Sequence, residues 1–168
     1  PGLYIVSTPI GNIRDITLRA IDVLAAADII ACEDTRVTRR LLSKYDITTG
    51  TLSYHEYNAQ KVRPKLIRRL KNGETVALVS DAGTPTISDP GYRLVSESHL
   101  AEIPVFALPG ACAALAAIVT AGFPTDNFLF LGFLPPKQNV RRKKIEEFNK
   151  IKATLVIYES ATRLARTL

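Results

Sequence analysis

The stretch Tyr4-Ile5-Val6-Ser7-Thr8-Pro9-Ile10-Gly11-Asn12 decides the fold. It begins as a short apolar run and ends in a turn made of Pro, Gly and small polar residues. A buried strand that runs directly into such a turn is typical of the parallel sheets of α/β proteins. The same order recurs at Val76-Ala77-Leu78-Val79-Ser80-Asp81-Ala82-Gly83 and at Val105-Phe106-Ala107-Leu108-Pro109-Gly110. The sequence therefore predicts an α/β fold with a mostly parallel sheet.

Outward from these segments, short strand patterns alternate with helical patterns, as they do in βα units. The predicted strands are Leu3–Ser7, Ile29–Cys32, Leu52–Tyr54, Val76–Ser80 and Val105–Leu108. The predicted helices are one capped by Thr17, one capped by Asn58 and ended by Gly73, and those at Tyr92–Ala101 and Ala111–Ala121. Together these elements predict a five-stranded N-terminal domain over residues 1–122.

A cluster of turn residues, Gly122-Phe123-Pro124-Thr125-Asp126, interrupts the alternation and predicts a domain boundary. A second series follows it, with strands at Phe128–Leu131 and Thr154–Tyr158, a basic helix near Val140–Lys150 and a helix from Ser160. Two strands and two helices are too few to bury a core of their own. We therefore expect residues 123–168 to be the beginning of a second α/β domain, incomplete in this chain.

The composition limits the possible classes of protein. The 168 residues are 46% hydrophobic and 23% charged, which excludes wholly disordered and fibrous classes. The longest run without polar residues, Gly or Pro is Ala111–Val119, well short of the roughly 20 residues of a membrane-spanning helix. No charged and apolar leader precedes Leu3, so we expect a cytoplasmic protein. Cys32 and Cys112 lack metal-ligand spacing, so we expect two buried thiols, no disulfide and no metal site.

The net charge is +6, and the excess positive charge is clustered. The clusters are Arg36/Arg39/Arg40/Lys44, Lys61/Arg63/Lys65/Arg68/Arg69/Lys71 and Lys137/Arg141/Arg142/Lys143/Lys144. Clustered cations suit a surface that binds a polyanion, because each phosphate contact releases condensed counterions. Each cluster alone is equally typical of a solvated helix face, but together they favour binding to nucleic acid.

The loops after the strands form the candidate site, because ligands of open α/β sheets bind beyond the carboxyl ends of the strands. Loops 7–12, 33–36, 81–91 and 109–111 are unusually rich in Gly, Pro or small hydroxyls. Such loops expose backbone N–H and C=O groups and let a flat, nucleoside-like cofactor approach closely. The glycine patterns of dinucleotide folds and P-loops are absent, and so is the nucleophile elbow of hydrolases. The 81–91 loop is longer than a simple chain reversal needs.

Seven short motifs carry a resemblance to a known family. They are Tyr4-Ile5-Val6-Ser7-Thr8-Pro9-Ile10-Gly11-Asn12, Glu33-Asp34-Thr35-Arg36, Ser80-Asp81-Ala82-Gly83-Thr84-Pro85, Ser88-Asp89-Pro90-Gly91, Leu108-Pro109-Gly110, Gly132-Phe133-Leu134-Pro135 and Tyr158-Glu159-Ser160. In this order they closely resemble the small-subunit ribosomal RNA methyltransferase I family, within the tetrapyrrole methylase superfamily. That family comprises cytidine 2′-O-methyltransferases of bacterial 16S ribosomal RNA. The resemblance runs from residue 3 to about 166, and the second and third motifs are its most specific part.

The resemblance implies two α/β domains with S-adenosylmethionine in the cleft between them, usually in a homodimer. It implies small-subunit ribosomal RNA, or the assembled small subunit, as the partner. By position, the cofactor-binding residues are Thr8, Pro9, Ile10, Gly11, Asp81, Ala82, Gly83, Thr84, Pro85, Pro109, Gly110, Ala111, Tyr158 and Glu159. The chain departs from the family at Ala161-Thr162-Arg163, where relatives commonly carry a histidine before the arginine. Relatives also continue beyond the length of this chain.

Methyl transfer to a ribose hydroxyl needs alignment of donor and acceptor and removal of the hydroxyl proton. The predicted catalytic residues are Asp34, Glu33 and Asp81, with Asp89 and His55 as further candidates. An ion pair of Glu33-Asp34 with Arg36 that orders the loop is an open alternative, as is His55 as a plain loop residue. The predicted RNA-binding residues are Arg36, Arg39, Arg40, Arg141, Arg142, Lys143 and Lys144.

Two other functions stay open at this point. One is a tetrapyrrole C-methyltransferase, the other large branch of the superfamily. The basic clusters and the Glu33–Arg36 and Ser80–Pro85 motifs argue against it. The other is a non-catalytic relative that binds RNA or a nucleotide without turnover.

Overall fold

The computed structural model describes residues 1–168, which form two units, Pro1–Cys112 and Ala113–Leu168. Unit 1 contains β1 (Gly2–Val6), α1 (Leu18–Ala26), β2 (Ile29–Cys32), α2 (Thr35–Ser43), β3 (Thr51–Ser53), α3 (Ala59–Lys71), β4 (Thr75–Val79), α4 (Tyr92–Leu100) and β5 (Val105–Leu108), with a short 3₁₀ helix at Ile13–Asp15. Unit 2 contains α5 (Ala113–Thr120), β6 (Phe128–Phe133), α6 (Gln138–Phe148), β7 (Thr154–Tyr158) and α7 (Ala161–Thr167). Every predicted strand is confirmed, because no bound differs by more than two residues.

The strands of unit 1 form one parallel sheet in the order β3-β2-β4-β1-β5. β1 lies between β4 and β5, so that Ile5 is opposite Leu78 on one side and Ala107 on the other. The strands are nearly continuous apolar runs because helices cover both faces of the sheet. The expected five-stranded parallel α/β sheet is therefore confirmed.

Each face of the sheet has its own core, since successive strand residues point to opposite faces. α1 and α2 cover the first face, where their Leu24 and Leu42 belong to a core with Val6 and Val79. α3 and α4 cover the second face, with a core that includes Leu66, Leu94, Leu3 and Leu78. The chain thus leaves β1 toward one face and its neighbour β4 toward the other. Such a divergence of loops opens a crevice at the carboxyl edge of a sheet.

α2 was missing from the sequence prediction. It starts directly after the acidic pair Glu33-Asp34 and carries the first basic cluster on its exposed side. Thr38 and Leu42 of this helix are buried and Leu41 packs against the same core. Their i, i+3, i+4 spacing is the signal that could have identified the helix. The cluster Arg36/Arg39/Arg40/Lys44 consequently lies on a helix that begins at the edge where ligands are expected.

Asn58 is the N-cap residue of α3, as predicted, but its side chain makes no capping hydrogen bond. Its Oδ1 accepts a hydrogen bond from the His55 N–H at 2.9 Å, and its Nδ2 donates to the Ser53 carbonyl at 3.0 Å. The side chain therefore fixes the loop between β3 and α3 instead of the first turn of the helix. The predicted end of this helix is confirmed, because Gly73 follows it with a φ of +84° that favours glycine.

In unit 2, β6 and β7 form a two-stranded parallel sheet, α6 connects them and α5 packs against β7. The Tyr158 hydroxyl at the end of β7 accepts a hydrogen bond from the Ala114 N–H in α5 at 3.1 Å. α5 therefore belongs to unit 2. The division between Cys112 and Ala113 falls one helix before the boundary predicted at residues 122–123.

Two further expectations concern thiols and membrane spans. Cys32 is fully buried as expected, whereas Cys112 is only partly buried, since it lies in the loop between β5 and α5. None of the helices has both the length and the apolar character that a membrane crossing requires.

The role of Asn58 can be tested by the substitution Asn58→Ala. We expect it to lower the free energy of unfolding by about 1–2 kcal/mol, because two partly buried hydrogen bonds are lost. Asn72→Ala is the matched control, since Asn72 lies exposed at the other end of α3. Urea unfolding of both variants measures the difference. Equal losses of stability would show that the loop contacts of Asn58 are not stabilising.

Candidate active site

The loops after β1 and β4 are joined by a pair of backbone hydrogen bonds. The Thr8 N–H donates to the Gly83 carbonyl and the Gly83 N–H donates to the Thr8 carbonyl, both at 2.9 Å. The Thr8 hydroxyl adds a bond to the Ser80 carbonyl at 3.0 Å. Two segments that lie 75 residues apart in sequence thereby become one platform at the carboxyl edge of the sheet.

Thr84 joins the third loop to this platform. Its hydroxyl donates to the Ala111 carbonyl at 3.0 Å and lies 3.0 Å from the Ser7 hydroxyl. Because Thr84 has a single hydroxyl proton, the Ser7 hydroxyl is the donor in the second bond. A Cβ at Gly110 would lie 2.7 Å from the Cβ of Ser7, so glycine is needed for this close approach. The loops predicted to bind a cofactor in unit 1 are thus brought together.

The predicted cofactor residues of these loops differ in exposure, and Pro9, Thr84 and Ala111 are half-buried. Thr8, Gly83 and Pro85 are buried and fix the loops to one another. The residues that face solvent at the same edge are Ile10, Gly11, Asp81, Ala82, Pro109 and Gly110. The exposed residues can contact a ligand directly, while the buried ones determine where the exposed ones lie.

The 81–91 loop holds several residues in the left-handed region of backbone conformation. Thr86 has a φ of +73° and Ser88 a φ of +60°, in addition to Gly83 at +85° and Gly91 at +134°. For a β-branched residue such as Thr86 this conformation is strained, at a cost of about 1–3 kcal/mol. Strain of this kind is concentrated at functional sites. The functional role of this loop stays a prediction.

Asp34 caps α2 and pairs with Arg36. Its carboxylate accepts the Arg36 backbone N–H at 2.8 Å and the Arg36 guanidinium at 2.6 Å. These hydrogen bonds lower the pKa of Asp34 to about 2. The Asp34 N–H in turn donates to the Asp81 carboxylate at 3.0 Å. The pairing of Asp34 with Arg36 is confirmed. The bond from the Asp34 N–H joins two of the predicted catalytic residues, Asp34 and Asp81.

Glu33 and Asp89 have the opposite electrostatic environment. Burial raises the pKa of Glu33, and the nearby charges of Asp81 and Asp89 raise it further. Burial also raises the pKa of Asp89, while the Ser80 hydroxyl opposes this rise. Glu33 lines a cavity of about 450 Å³ together with Asp34, His55 and Asp81. The predicted catalytic carboxylates, with His55, therefore share one cavity at the edge of the sheet.

Ser7 and Ser80 support the platform, a role that the sequence analysis did not assign although both residues belong to its motifs. Both are buried polar residues that directly follow a strand. The Ser80 hydroxyl donates to the Gly83 carbonyl at 3.2 Å and thereby supports the joined loops. A serine at the end of an otherwise apolar run is the signal that could have identified both.

Tyr158 and Glu159 lie in unit 2. The Tyr158 ring packs edge-on against Phe130, with centroids 4.8 Å apart. The Glu159 carboxylate accepts hydrogen bonds from Arg163 at 2.8 Å and Thr167 at 2.7 Å. These bonds lower the pKa of Glu159 to about 2. The cofactor role of both residues stays a prediction.

The basic cluster of α6 is divided by burial. Arg141 is buried, and its guanidinium donates to the carbonyls of Pro136 at 3.2 Å and Arg166 at 2.7 Å. It therefore holds unit 2 together and does not present its charge to solvent. Lys144 pairs with Glu147 at 3.1 Å, whereas Arg142 and Lys143 are exposed, as are Arg36, Arg39 and Arg40 on α2.

An open parallel α/β sheet with joined loops at a topological switch point defines the class of protein. The chain belongs to the tetrapyrrole (corrin/porphyrin) methylases, whose family model matches residues 2–168. Solved structures agree with this fold. Cobalt precorrin-4 methyltransferase superposes with a TM-score of 0.70 at 19% identity and covers 98% of this chain and 71% of its own. Diphthine synthase gives a TM-score of 0.74 at 16% identity, with 95% and 64% covered.

Curated relatives are more similar in sequence to this chain than these solved structures are. The protein named ribosomal RNA small subunit methyltransferase I from Mesorhizobium japonicum is 55% identical over 168 residues, which is 100% of this chain and 57% of that protein. The protein of the same name from Vibrio cholerae is 49% identical over 168 residues, or 100% of this chain and 58% of that protein. The chain thus spans somewhat more than half the length of these relatives.

The contacts of Glu159 predict a pH dependence of stability. Its pKa in the folded protein is about 2, below the usual 4.5, so its stabilising effect is present above pH 4.5 and lost as the pH falls toward 2. Glu159→Gln should therefore unfold more easily than the parent at neutral pH, and the difference should shrink below pH 4.5. Asp126→Asn, at an exposed position, is the charge-matched control. Thermal unfolding from pH 7 to pH 2 measures this, and a pH-independent difference would contradict the prediction.

Proposed function

We propose that the chain carries the S-adenosylmethionine-binding platform of a methyltransferase that modifies the 2′-oxygen of a cytidine in small-subunit ribosomal RNA. The joining of the three loops by Thr8, Gly83 and Thr84 is the observation that carries the proposal. The 45–55% identity to relatives named ribosomal RNA small subunit methyltransferase I supports the ribosomal substrate. A ribosomal substrate also agrees with a cytoplasmic location, and the homodimer stays a prediction.

The residues present fit S-adenosylmethionine. When bound, this cofactor supplies an activated methyl group. The exposed Asp81 carboxylate suits the positive charge or the ribose hydroxyls of such a ligand. A Cβ at Gly83 would lie in van der Waals contact with the Ile10 Cγ2 at 3.4 Å and the Ala111 oxygen at 3.8 Å, so the feature that favours glycine there is its φ of +85°. The solvent-facing residues of the platform would contact the cofactor.

Among the predicted catalytic residues, Glu33 is the one best suited to accept the proton of the ribose hydroxyl. A general base works best when its pKa approaches the operating pH. The pKa of Glu33 is raised, whereas Arg36 holds the pKa of Asp34 at about 2. Asp34 would then position Asp81 through its backbone N–H. In this proposal Asp34 is a positioning residue.

The decisive experiment is methyl transfer from labelled S-adenosylmethionine. The chain is incubated with small ribosomal subunits or with a porphyrinoid, and label in each acceptor is measured. We expect label in the ribosomal RNA, on a cytidine 2′-oxygen. Label in the porphyrinoid would establish the tetrapyrrole alternative. Cofactor binding in calorimetry without label in either acceptor would indicate a non-catalytic relative, and no cofactor binding would overturn the proposal.

Gly83→Val tests the platform itself. The new side chain would push against Ile10 and the Ala111 carbonyl, so the loops should separate and S-adenosylmethionine should bind at least about tenfold more weakly. Gly73→Val is the matched control, because its φ of +84° imposes the same strain as the +85° of Gly83 while nothing lies within 4 Å. Calorimetry of both folded variants gives the comparison. Equal affinity in the two variants would remove the platform from the cofactor site.

RNA binding by α6 is tested with the pair of exposed residues Arg142 and Lys143. Their joint replacement by Gln should reduce the slope of log affinity against log salt by roughly 1–2 units, since about two phosphate contacts are lost. The control is Lys150→Gln with Lys152→Gln, which removes the same charge from exposed positions of the same unit. Binding to small-subunit ribosomal RNA is measured by filter retention at several salt concentrations. If both pairs change the slope equally, α6 is an ordinary solvated face.

A further inference from the structure

A second cavity of about 670 Å³ lies in unit 1, between the beginning of α3 and the beginning of α4. Its volume falls in the range of sites that bind small molecules or single nucleotides. It is lined by aromatic, cationic and acidic side chains, of which Tyr54, Tyr57, Arg63, Asp89, Tyr92 and Arg93 carry the argument. Glu33 lines this cavity and also the smaller cavity with Asp81, so the two are neighbours.

Two aromatic rings of this cavity are exposed to water. Tyr57 is 97% exposed and Tyr92 is 63% exposed. The backbone at both residues is ordered, because Tyr57 lies in the loop that Asn58 fixes and Tyr92 is the first residue of α4. Exposed rings held on ordered backbone are the usual stacking surfaces for the unpaired bases of nucleic acids.

The inner wall of the cavity is rigid. Tyr54 is only 2% exposed. The side chain of Arg63 is 12% exposed, and its Nε donates to the Glu97 carboxylate at 2.6 Å. Arg63 is thereby neutralised and holds α3 against α4. The cavity is therefore present before a ligand arrives, which lowers the entropic cost of binding.

Arg93 is placed differently from Arg63. Its Nε donates to the Tyr92 hydroxyl at 2.9 Å, and its guanidinium lies 5.7 Å from the centroid of the Tyr92 ring. It forms no salt bridge with a carboxylate, so its charge is available to a phosphate group. A stacking ring beside a cation is the arrangement that holds a base together with its own phosphate.

We propose that this cavity binds one unpaired base of single-stranded RNA, stacked on Tyr57 and Tyr92, with the adjoining phosphate on Arg93 and the amino edge of the base on Asp89. This inference rests on the proposed function, since it places the base of the substrate next to the cavity of Glu33 and Asp81. A carboxylate accepts a hydrogen bond from the amino group of cytosine but meets an oxygen at the same place in uracil. The site therefore prefers cytosine to uracil.

The buried position of Asp89 favours a ligand that donates a hydrogen bond to its carboxylate. Burial raises the pKa of Asp89, and the charge of Asp81 adds to the rise. The charged groups around it from other segments are Glu33, Glu56, Arg63 and Arg93, all of which line the same cavity. A donated amino hydrogen stabilises the ionised carboxylate that this surrounding disfavours.

The test uses the 168-residue chain and fluorescein-labelled hexamers of cytidylate and uridylate, with fluorescence anisotropy as the measurement. We expect the cytidylate hexamer to bind more tightly. Tyr57→Ala and Tyr92→Ala should each weaken its binding by roughly tenfold, the scale of one lost stacking contact. Tyr57→Phe is the matched control at position 57, since it keeps the ring, and should bind as the parent does. At position 92 the stacking contribution is the difference between Tyr92→Ala and Tyr92→Phe, because both variants lose the hydrogen bond to Arg93. Asp89→Ala should remove the preference for cytidylate.

S-adenosylmethionine binding is measured on the same variants and separates this inference from the proposed function. If the parent fails to bind the cofactor, the proposed function fails, whatever the hexamers do. If the cofactor binds normally but both Ala variants bind the cytidylate hexamer as the parent does, the base-binding cavity is overturned. Equal affinity of the parent for the two hexamers would overturn the role of Asp89.

Discussion

The paired backbone hydrogen bonds between Thr8 and Gly83 are the constraint on which the site depends. They form because β1 and β4 are parallel neighbours in register, so that both strands end at the same level of the sheet. The chain then departs toward opposite faces, and without a cross-link the two loops would separate. Gly83 makes the link possible, since its φ of +85° is strained for other residues. The third loop, at residues 109–111, attaches to these two joined loops through Thr84.

The strained backbone of the 81–91 loop is held in place by tight packing in its middle and at its far end. Pro85 is fully buried in the middle of the loop. At the far end, a Cβ on Gly91 would lie 2.8 Å from the Leu78 Cδ2 in β4, so the loop returns tightly onto the core. Thr86 and Ser88 keep their left-handed conformations because both ends of the segment are fixed. A rigid loop presents its exposed Asp81 and Ala82 without paying ordering entropy when a ligand binds.

The strands and the joined loops could be predicted from the sequence because buried parallel strands are apolar runs that end in turns. α2 was not among the predicted helices, although Thr38, Leu41 and Leu42 face the core at the spacing of a helix. The charge of Arg141 suggested a solvent-exposed residue, yet its guanidinium also donates to the Arg166 carbonyl, which lies 25 residues away and is not visible in any local pattern. The cavity beside Tyr57 and Tyr92 combines segments from three parts of the chain, so only their tertiary arrangement shows it.

The ionised carboxylates of Glu33 and Asp89 at this edge of the sheet lower the stability of the folded protein, and a bound ligand can offset that loss. Burial and like charges raise the pKa of Glu33 and of Asp89 in the folded protein. A raised pKa of an acid means that the folded state binds its proton more tightly than the unfolded state, so ionisation near neutral pH lowers the stability of the fold. Asp34 forms an ion pair with Arg36, whereas neither Glu33 nor Asp89 forms a salt bridge. A ligand that brings positive charge or hydrogen-bond donors to Glu33 and Asp89 would therefore stabilise the folded protein.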